Sequence, residues 1–204
     1  MARIFSQNAE NKLLEAGREL LWKYGFRKVS VEDICKRAGV SKMTFYRYFE
    51  NKSELTKRVL NNVVSEGTDN FRKILTDDTS VAVKMQRIIH LKMDGTKEIS
   101  REFVEEIYND PGSELQQFMI KLTTDTWIGI LEEFKDAQAR GVFRKDFKPE
   151  ILLAMSRGFS ELIADPKLNS LYSNTQEMIV EMTNLMTFGI APRECEIKHV
   201  SNEK

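Results

Sequence analysis

Within the 26 residues SVEDICKRAGVSKMTFYRYFENKSEL, residues 30–55, the chain offers three helix starts and one glycine corner. Ser30 with Asp33 has the form of a capping box, Ser41 can cap through its hydroxyl, and Asn51 with Glu54 repeats the box. Gly39 falls between the first two starts, and glycine takes positive φ at little cost. The spacing predicts two helices of about seven and eight residues joined by a turn of about three to four, which is helix-turn-helix spacing. Ile34, Ala38, Val40, Phe45 and Tyr48 supply the apolar positions that lock such a pair. Cys35 provides a small side chain where the two helices approach, a buried hydrophobe more readily than a redox group.

With Phe45 and Phe49 turned inward, Lys42, Met43, Thr44, Tyr46 and Arg47 are left for the outer face. A helix of this diameter fits a DNA major groove. The hydroxyls of Ser41, Thr44 and Tyr46 and the ammonium of Lys52 are placed to reach phosphates, contacts that set register and carry little sequence information. Lys42, at the helix start, is the candidate for a guanine edge, and Met43 for a thymine methyl. The bland alternative is a set of solvated residues on a small helical bundle. Charge placement favours the first reading. The 204 residues balance 31 basic against 31 acidic, yet residues 1–60 hold 13 Lys and Arg against 7 Asp and Glu, leaving 18 against 24 in the remainder. A basic first third on an acidic remainder suggests a polyanion as partner.

The stretch GFRKVSVEDICKRAGVSKMTFYRYFENKSEL, residues 25–55, resembles the N-terminal DNA-binding domain of the TetR family of bacterial transcriptional regulators. The likeness extends more loosely to the first helix and to the chain length. It implies DNA contacts at Ser30, Ser41, Lys42, Met43, Thr44, Tyr46, Arg47, Tyr48 and Lys52. One position departs: the family usually carries glycine, which lets backbone approach DNA closely, where this chain has the bulkier Met43.

Apolar residues at helical spacing run through the rest of the chain, without sustained period-two alternation, so the expected fold class is all-α. A first helix carries Leu13, Gly17, Leu20, Leu21 and Tyr24 on one face and stops at Gly25. A fourth is expected over residues 52–75, linking the two domains, followed by helices near 80–93, 96–109, 113–140, 149–164 and 174–189. The expected domains are a helix-turn-helix DNA-binding domain at 1–51, a larger helical ligand-binding and dimerisation domain at 52–191, and a polar, unpatterned, disordered tail at 192–204.

Met85, Ile89, Met93, Phe103, Ile107, Phe118, Met119, Leu122 and Trp127 are the candidates to line a pocket for a small apolar or amphipathic effector; such stripes also serve simply as core. The acidic run Glu98, Glu102, Glu105 and Glu106 reads as a solvated face. Two C-terminal amphipathic helices bear Leu152, Met155, Gly158, Phe159, Leu162, Ile179, Met182 and Met186. Packed against their copies they would form a four-helix dimer interface; packed inward they would complete the monomer core. The family resemblance implies the dimer, and with it a repressor released by its effector.

An enzyme is poorly supported. The sequence lacks G-x-S-x-G, H-E-x-x-H, a P-loop and a glycine-rich dinucleotide turn, and its two histidines, His90 and His199, supply neither a triad nor a metal cluster. No cofactor, metal site or catalytic residue is expected. A ligand-independent regulator or adaptor of the same fold is the closer rival. The opening MARIFSQNAENK has no apolar signal core, no apolar run approaches the length of a membrane span, and Cys35 and Cys195 lack metal-ligand spacing, so a reducing cytoplasm is the expected location.

Overall fold

The computed structural model of the chain describes residues 2–192, Asn109 excepted. The expected tail therefore lies, from residue 193 onward, outside the described residues, as do Cys195 and His199. Among the described residues the secondary structure is helical throughout: α1 (Ala2–Tyr24), α2 (Val31–Ala38), α3 (Lys42–Tyr48), α4 (Lys52–Thr76), α5 (Val81–Gly95), α6 (Arg101–Tyr108), α7 (Glu114–Ala139), α8 (Glu150–Ala164), α9 (Pro166–Asn169) and α10 (Thr175–Ile190). No helix among them is long and apolar enough to cross a membrane.

The caps explain most of these boundaries. Glu54 N donates to Asn51 Oδ1 at 2.9 Å and Glu177 N to Asn174 Oδ1 at 2.9 Å, as the sequence spacing predicts. Three boundaries differ from expectation. The helix expected from residue 96 begins at Arg101, because Thr96 still caps α5 and Glu98 takes φ 62°; Ser100 then caps α6. The four-residue α9 follows an Asp-Pro pair, in which Asp165 accepts from Lys167 N at 2.8 Å and Pro166 opens the turn. Gly189 does not close α10, which runs on to Ile190 and stops ahead of Pro192.

The chain divides into two compact units, each built from two segments. The first comprises residues 1–63 and 98–120, the second residues 64–97 and 121–204. The boundary expected at 51/52 thus falls inside the first unit, which also takes in the opening turns of α4, all of α6 and the start of α7. Its interior is formed by Leu13, Leu21, Ile34, Phe45, Phe49, Leu55, Phe103 and Ile107 among others. Trp22 joins it against Phe103, ring centroids 4.6 Å apart, while Tyr24, expected on the buried face of α1, is exposed.

The second unit is organised around Leu75, Met85, Phe134, Ala137, Phe143 and Leu152, with Phe134 stacked between Trp127 and Phe143. α10 packs on α5 and α8 and buries Met178, Ile179 and Met182. Lys84 is buried, and its ammonium donates to Ile74 O at 3.1 Å and Leu75 O at 3.2 Å; Arg140 also reaches Leu75 O. Two cations thereby satisfy carbonyls that the end of α4 leaves without helical partners.

In the first unit, Gly17 and Leu55 mark a close approach of α1 to α4: a Cβ on Gly17 would lie 2.5 Å from Leu55 Cδ2, and Leu55 is fully buried. Gly17→Ala should destabilise the chain by about 1–2 kcal/mol, overpacking outweighing the gain of about 1 kcal/mol in helix propensity. In a Leu55→Ala background the same substitution should become neutral or stabilising. Denaturant titration of the four proteins of this cycle checks both signs.

Candidate nucleic-acid interface

The helix pair α2–α3 is fixed from its ends inward. At the start of α2, Asp33 N donates to Ser30 Oγ at 3.1 Å, and Ser30 N donates to Asp33 Oδ2 at 2.9 Å, a closed capping box. The Ser30 hydroxyl also donates to Asp33 Oδ2 at 2.6 Å, and these bonds hold the Asp33 carboxyl below its ordinary value. At the end of α2, Gly39 takes φ 67°, and Val40 N closes onto Cys35 O at 3.0 Å. Ser41 then starts α3, accepting from Thr44 N at 3.1 Å. Ile34, Cys35, Phe45 and Phe49 lie inside, and burial raises the Cys35 thiol pKa, in keeping with a small packing residue.

The outer face of α3 is the opposite in character. Met43 is 85% exposed and Tyr46 57% exposed, the latter with its ring 5.3 Å from that of Phe45 in an edge contact. Lys42 and Arg47 are exposed alongside them. The Arg47 guanidinium lies 5.6 Å from the Tyr48 ring centroid, and Tyr48 is half-buried against Phe49. The Ser41 and Thr44 hydroxyls are 3.0 Å apart at the helix start. Lys42 forms an ion pair with Glu32 of α2, a residue that no pattern in the sequence singles out. A short helix thus presents cations, hydroxyls and two large apolar or amphipathic side chains, a surface suited to groove and phosphate contacts.

Two of the expected contact residues are committed elsewhere. The Ser30 hydroxyl is used by its capping box as both donor and acceptor. Lys52 does not reach outward toward phosphates. Its ammonium donates to Phe26 O at 2.5 Å and Val29 O at 2.6 Å and sits 4.2 Å from the Phe26 ring centroid. Burial pushes its pKa down, and the Glu106 carboxylate opposes that shift. The physical reason is local: the turn between α1 and α2 has backbone carbonyls with no helical partners, and Lys52 supplies the donors.

Glu106 corrects the expected solvated acidic face. It is half-buried, and its Oε2 accepts from Phe26 N and from Arg27 N, the latter at 3.1 Å. Gly25, at φ 85°, is required here, since a Cβ would lie 2.8 Å from that same oxygen. The partners are 79 and 80 residues apart in sequence, so no local pattern signals the pair.

The remaining candidates are dispersed. Of the nine expected pocket residues, Phe103, Ile107, Phe118 and Met119 belong to the first unit; Met85, Ile89, Met93, Leu122 and Trp127 belong to the second. Phe103, Ile107, Met119 and Met85 are buried as core, and Met93 is exposed. An open recess of about 320 Å³ in the second unit is lined by Lys73, Ile74, Thr76, Asp77 and Arg87, none of the nine. Of the expected interface residues, Leu152, Ile179 and Met182 are buried within the chain's own second unit, so that part of the expectation is corrected: one face of each helix closes the core. Met155 and Leu162 are exposed, Gly158, Phe159 and Met186 are half-buried, and the exposed apolar side chains beside them are Ile151, Leu185 and Phe188.

Known proteins match the same region. Residues 13–59 fit the family of bacterial regulatory proteins described as the tetR family. An uncharacterised HTH-type transcriptional regulator of Bacillus subtilis, YvdT, is 34% identical over 67 residues; the match spans about a third of each protein, 33% of this chain and 34% of that one. The HTH-type transcriptional regulator UidR of Escherichia coli K12 is 24% identical over 162 residues, 78% of each. Among solved structures, the fatty acid degradation regulator FadR of Bacillus halodurans superposes with a TM-score of 0.64 at 16% identity, covering 91% of this chain and 97% of that one, a likeness of fold. These relatives are regulators, not enzymes. With α2 and α3 inside it, the segment 13–59 matches the tetR family of bacterial regulatory proteins, and the helical fold along the chain is like that of solved regulators.

Proposed function

We propose that the chain is a homodimeric transcriptional repressor that reads DNA with α3 and is released by a small apolar or amphipathic effector. The observation that carries the reading is the outward face of α3, where Met43 and Tyr46 stand uncovered between Lys42 and Arg47 on a helix locked by caps at both of its neighbouring turns. Lys42 is assigned to a base edge, and Thr44, Tyr46 and Arg47 to phosphates or flanking bases.

Exposed apolar side chains support the second copy. On α8 these are Ile151, Met155 and Leu162; on α10 they are Leu185, 70% exposed, and Phe188, 53% exposed. These residues alternate with the buried faces of the same helices, as expected of helices that close a core on one side and an isologous interface on the other. The third element is the effector. What favours it is that Phe71, Ile88 and Trp127 are only partly buried against the apolar cluster of the second unit, a surface to which an apolar molecule can add.

Selection from a random duplex pool should yield a preferred sequence with two related half-sites about one helical turn apart. Lys42→Ala should weaken binding to it and relax one base pair by about 1–3 kcal/mol. Lys52→Ala, by contrast, should leave the salt dependence of DNA binding unchanged and lower stability by about 1–3 kcal/mol, through the carbonyls it abandons. Absence of any sequence preference in the pool would refute the reading.

For assembly, the wild-type chain should sediment as a dimer at micromolar concentration, and Leu185→Glu with Phe188→Glu should give a folded monomer of much reduced operator affinity. A wild-type monomer rejects the dimer. For the effector, titration of a hydrophobic compound panel should find molecules that change Trp127 fluorescence and weaken operator binding by the same factor that operator weakens them. A panel that moves neither removes the effector from the proposal.

A further inference from the structure

The Lys42–Glu32 ion pair is an oddity for a helix pair assigned to DNA. Lys42 stands at the first position of α3, and Glu32 in the first turn of α2; their side chains are 53% and 57% exposed. Glu32 is not needed for the cap, because Asp33 closes the capping box. Nor is the pair buried, so it adds little to stability. Its carboxylate holds the very ammonium that the DNA-reading proposal, on which this inference rests, assigns to a base edge.

We propose that Glu32 is a built-in competitor of DNA for Lys42: in the free chain it occupies the ammonium as a phosphate would, and binding must displace it. Two effects follow. Lys42 must leave an existing ionic partner, so its net contribution to binding is the difference between two contacts of similar kind. The released carboxylate is then left beside a polyanion, where it retains a cation that a neutral side chain would not, and this offsets about one released counterion. On DNA that lacks the matching base the ammonium turns to a phosphate instead, so Glu32 is displaced there too and both effects act on every sequence. Glu32 therefore lowers affinity for all DNA without altering preference among sequences, and it makes binding less sensitive to salt. A regulator that leaves non-cognate DNA readily gains from such a contact, since non-cognate sites greatly outnumber cognate ones.

The test uses the full chain with a labelled mixed-sequence duplex and with the duplex preferred in the selection, titrated from about 50 to 200 mM salt. Glu32→Gln should raise affinity for both duplexes about two- to fivefold at the lowest salt, the scale of one exposed ion pair. The plot of log affinity against log salt should steepen by about 0.9. The ratio of the two affinities should stay constant. In a Lys42→Ala background most of the gain should vanish, because the ammonium for which Glu32 competes is gone. Glu32→Asp, which keeps the charge but shortens the reach, should fall between wild type and Glu32→Gln, and it carries the test if Glu32→Gln loosens α2 by circular dichroism.

Unchanged affinity and slope in Glu32→Gln would overturn the inference while the DNA-reading proposal stands. So would a gain that persists in full without Lys42, which would make Glu32 a source of general repulsion only. Failure of the wild-type chain to prefer any duplex in the selection would instead remove the DNA-reading proposal itself.

Discussion

The placement of α2 and α3 depends on five residues that are not helical. Residues 25–29 turn the chain from α1 into α2, and two of their amides and two of their carbonyls are satisfied by side chains from elsewhere. Glu106 takes the amides of Phe26 and Arg27, and Lys52 gives to the carbonyls of Phe26 and Val29. An ammonium at the N-terminus of α4 opposes the helix dipole, and burial opposes its charge further. It is held there by the carbonyls it serves and by the nearby carboxylate. Opposite charges clamp the two sides of one turn, and the direction in which α2 leaves that turn sets where α3 points.

Around this clamp the apolar contacts do the rest. Trp22 lies on Phe103, Ser100 N donates to Trp22 O at 2.7 Å, and Leu55 fills the notch left by Gly17. α6 is therefore as much a part of the first unit as the three helices that precede α4. The outer face of α3 is left clear by the same arrangement, since Phe45 and Phe49 spend their area inward, and Met43 and Tyr46 on the same seven-residue helix have nowhere inside to go.

Features set by neighbours in sequence are legible in the residues themselves. The capping box at Ser30–Asp33, the Asn51 cap on the Glu54 amide, the left-handed Gly39 and the inward Phe45 all follow from residues three or four apart, although the Glu54 carboxylate takes the Glu50 amide and does not close a second box. Features set by distant partners are not. Lys52 reads as a phosphate contact because its two carbonyl acceptors lie 23 and 26 residues away, and Glu106 reads as solvated because its amides lie further still. The two sides of an amphipathic helix are also confounded. Leu152, Ile179 and Met182 have the apolar character of an interface, but the helices carry apolar residues on more than one face, and only packing decides which face closes the core.

The two units share out the chain in an interleaved way, first, second, first, second, with the divisions at 63/64 and 120/121 falling inside the continuous helices α4 and α7. This limits how such a gene can be rearranged. A single crossover after residue 63 would hand a new partner α1–α3 and half of α4 but leave behind α6, and with it Glu106 and Phe103. The transplanted fragment would expose Trp22 and lose the acceptor for two amides of its critical turn. Exchange of second units between relatives of this architecture must therefore carry residues 98–120 along with α1–α3, or find a new α6 that already offers a carboxylate and an aromatic ring at the matching positions.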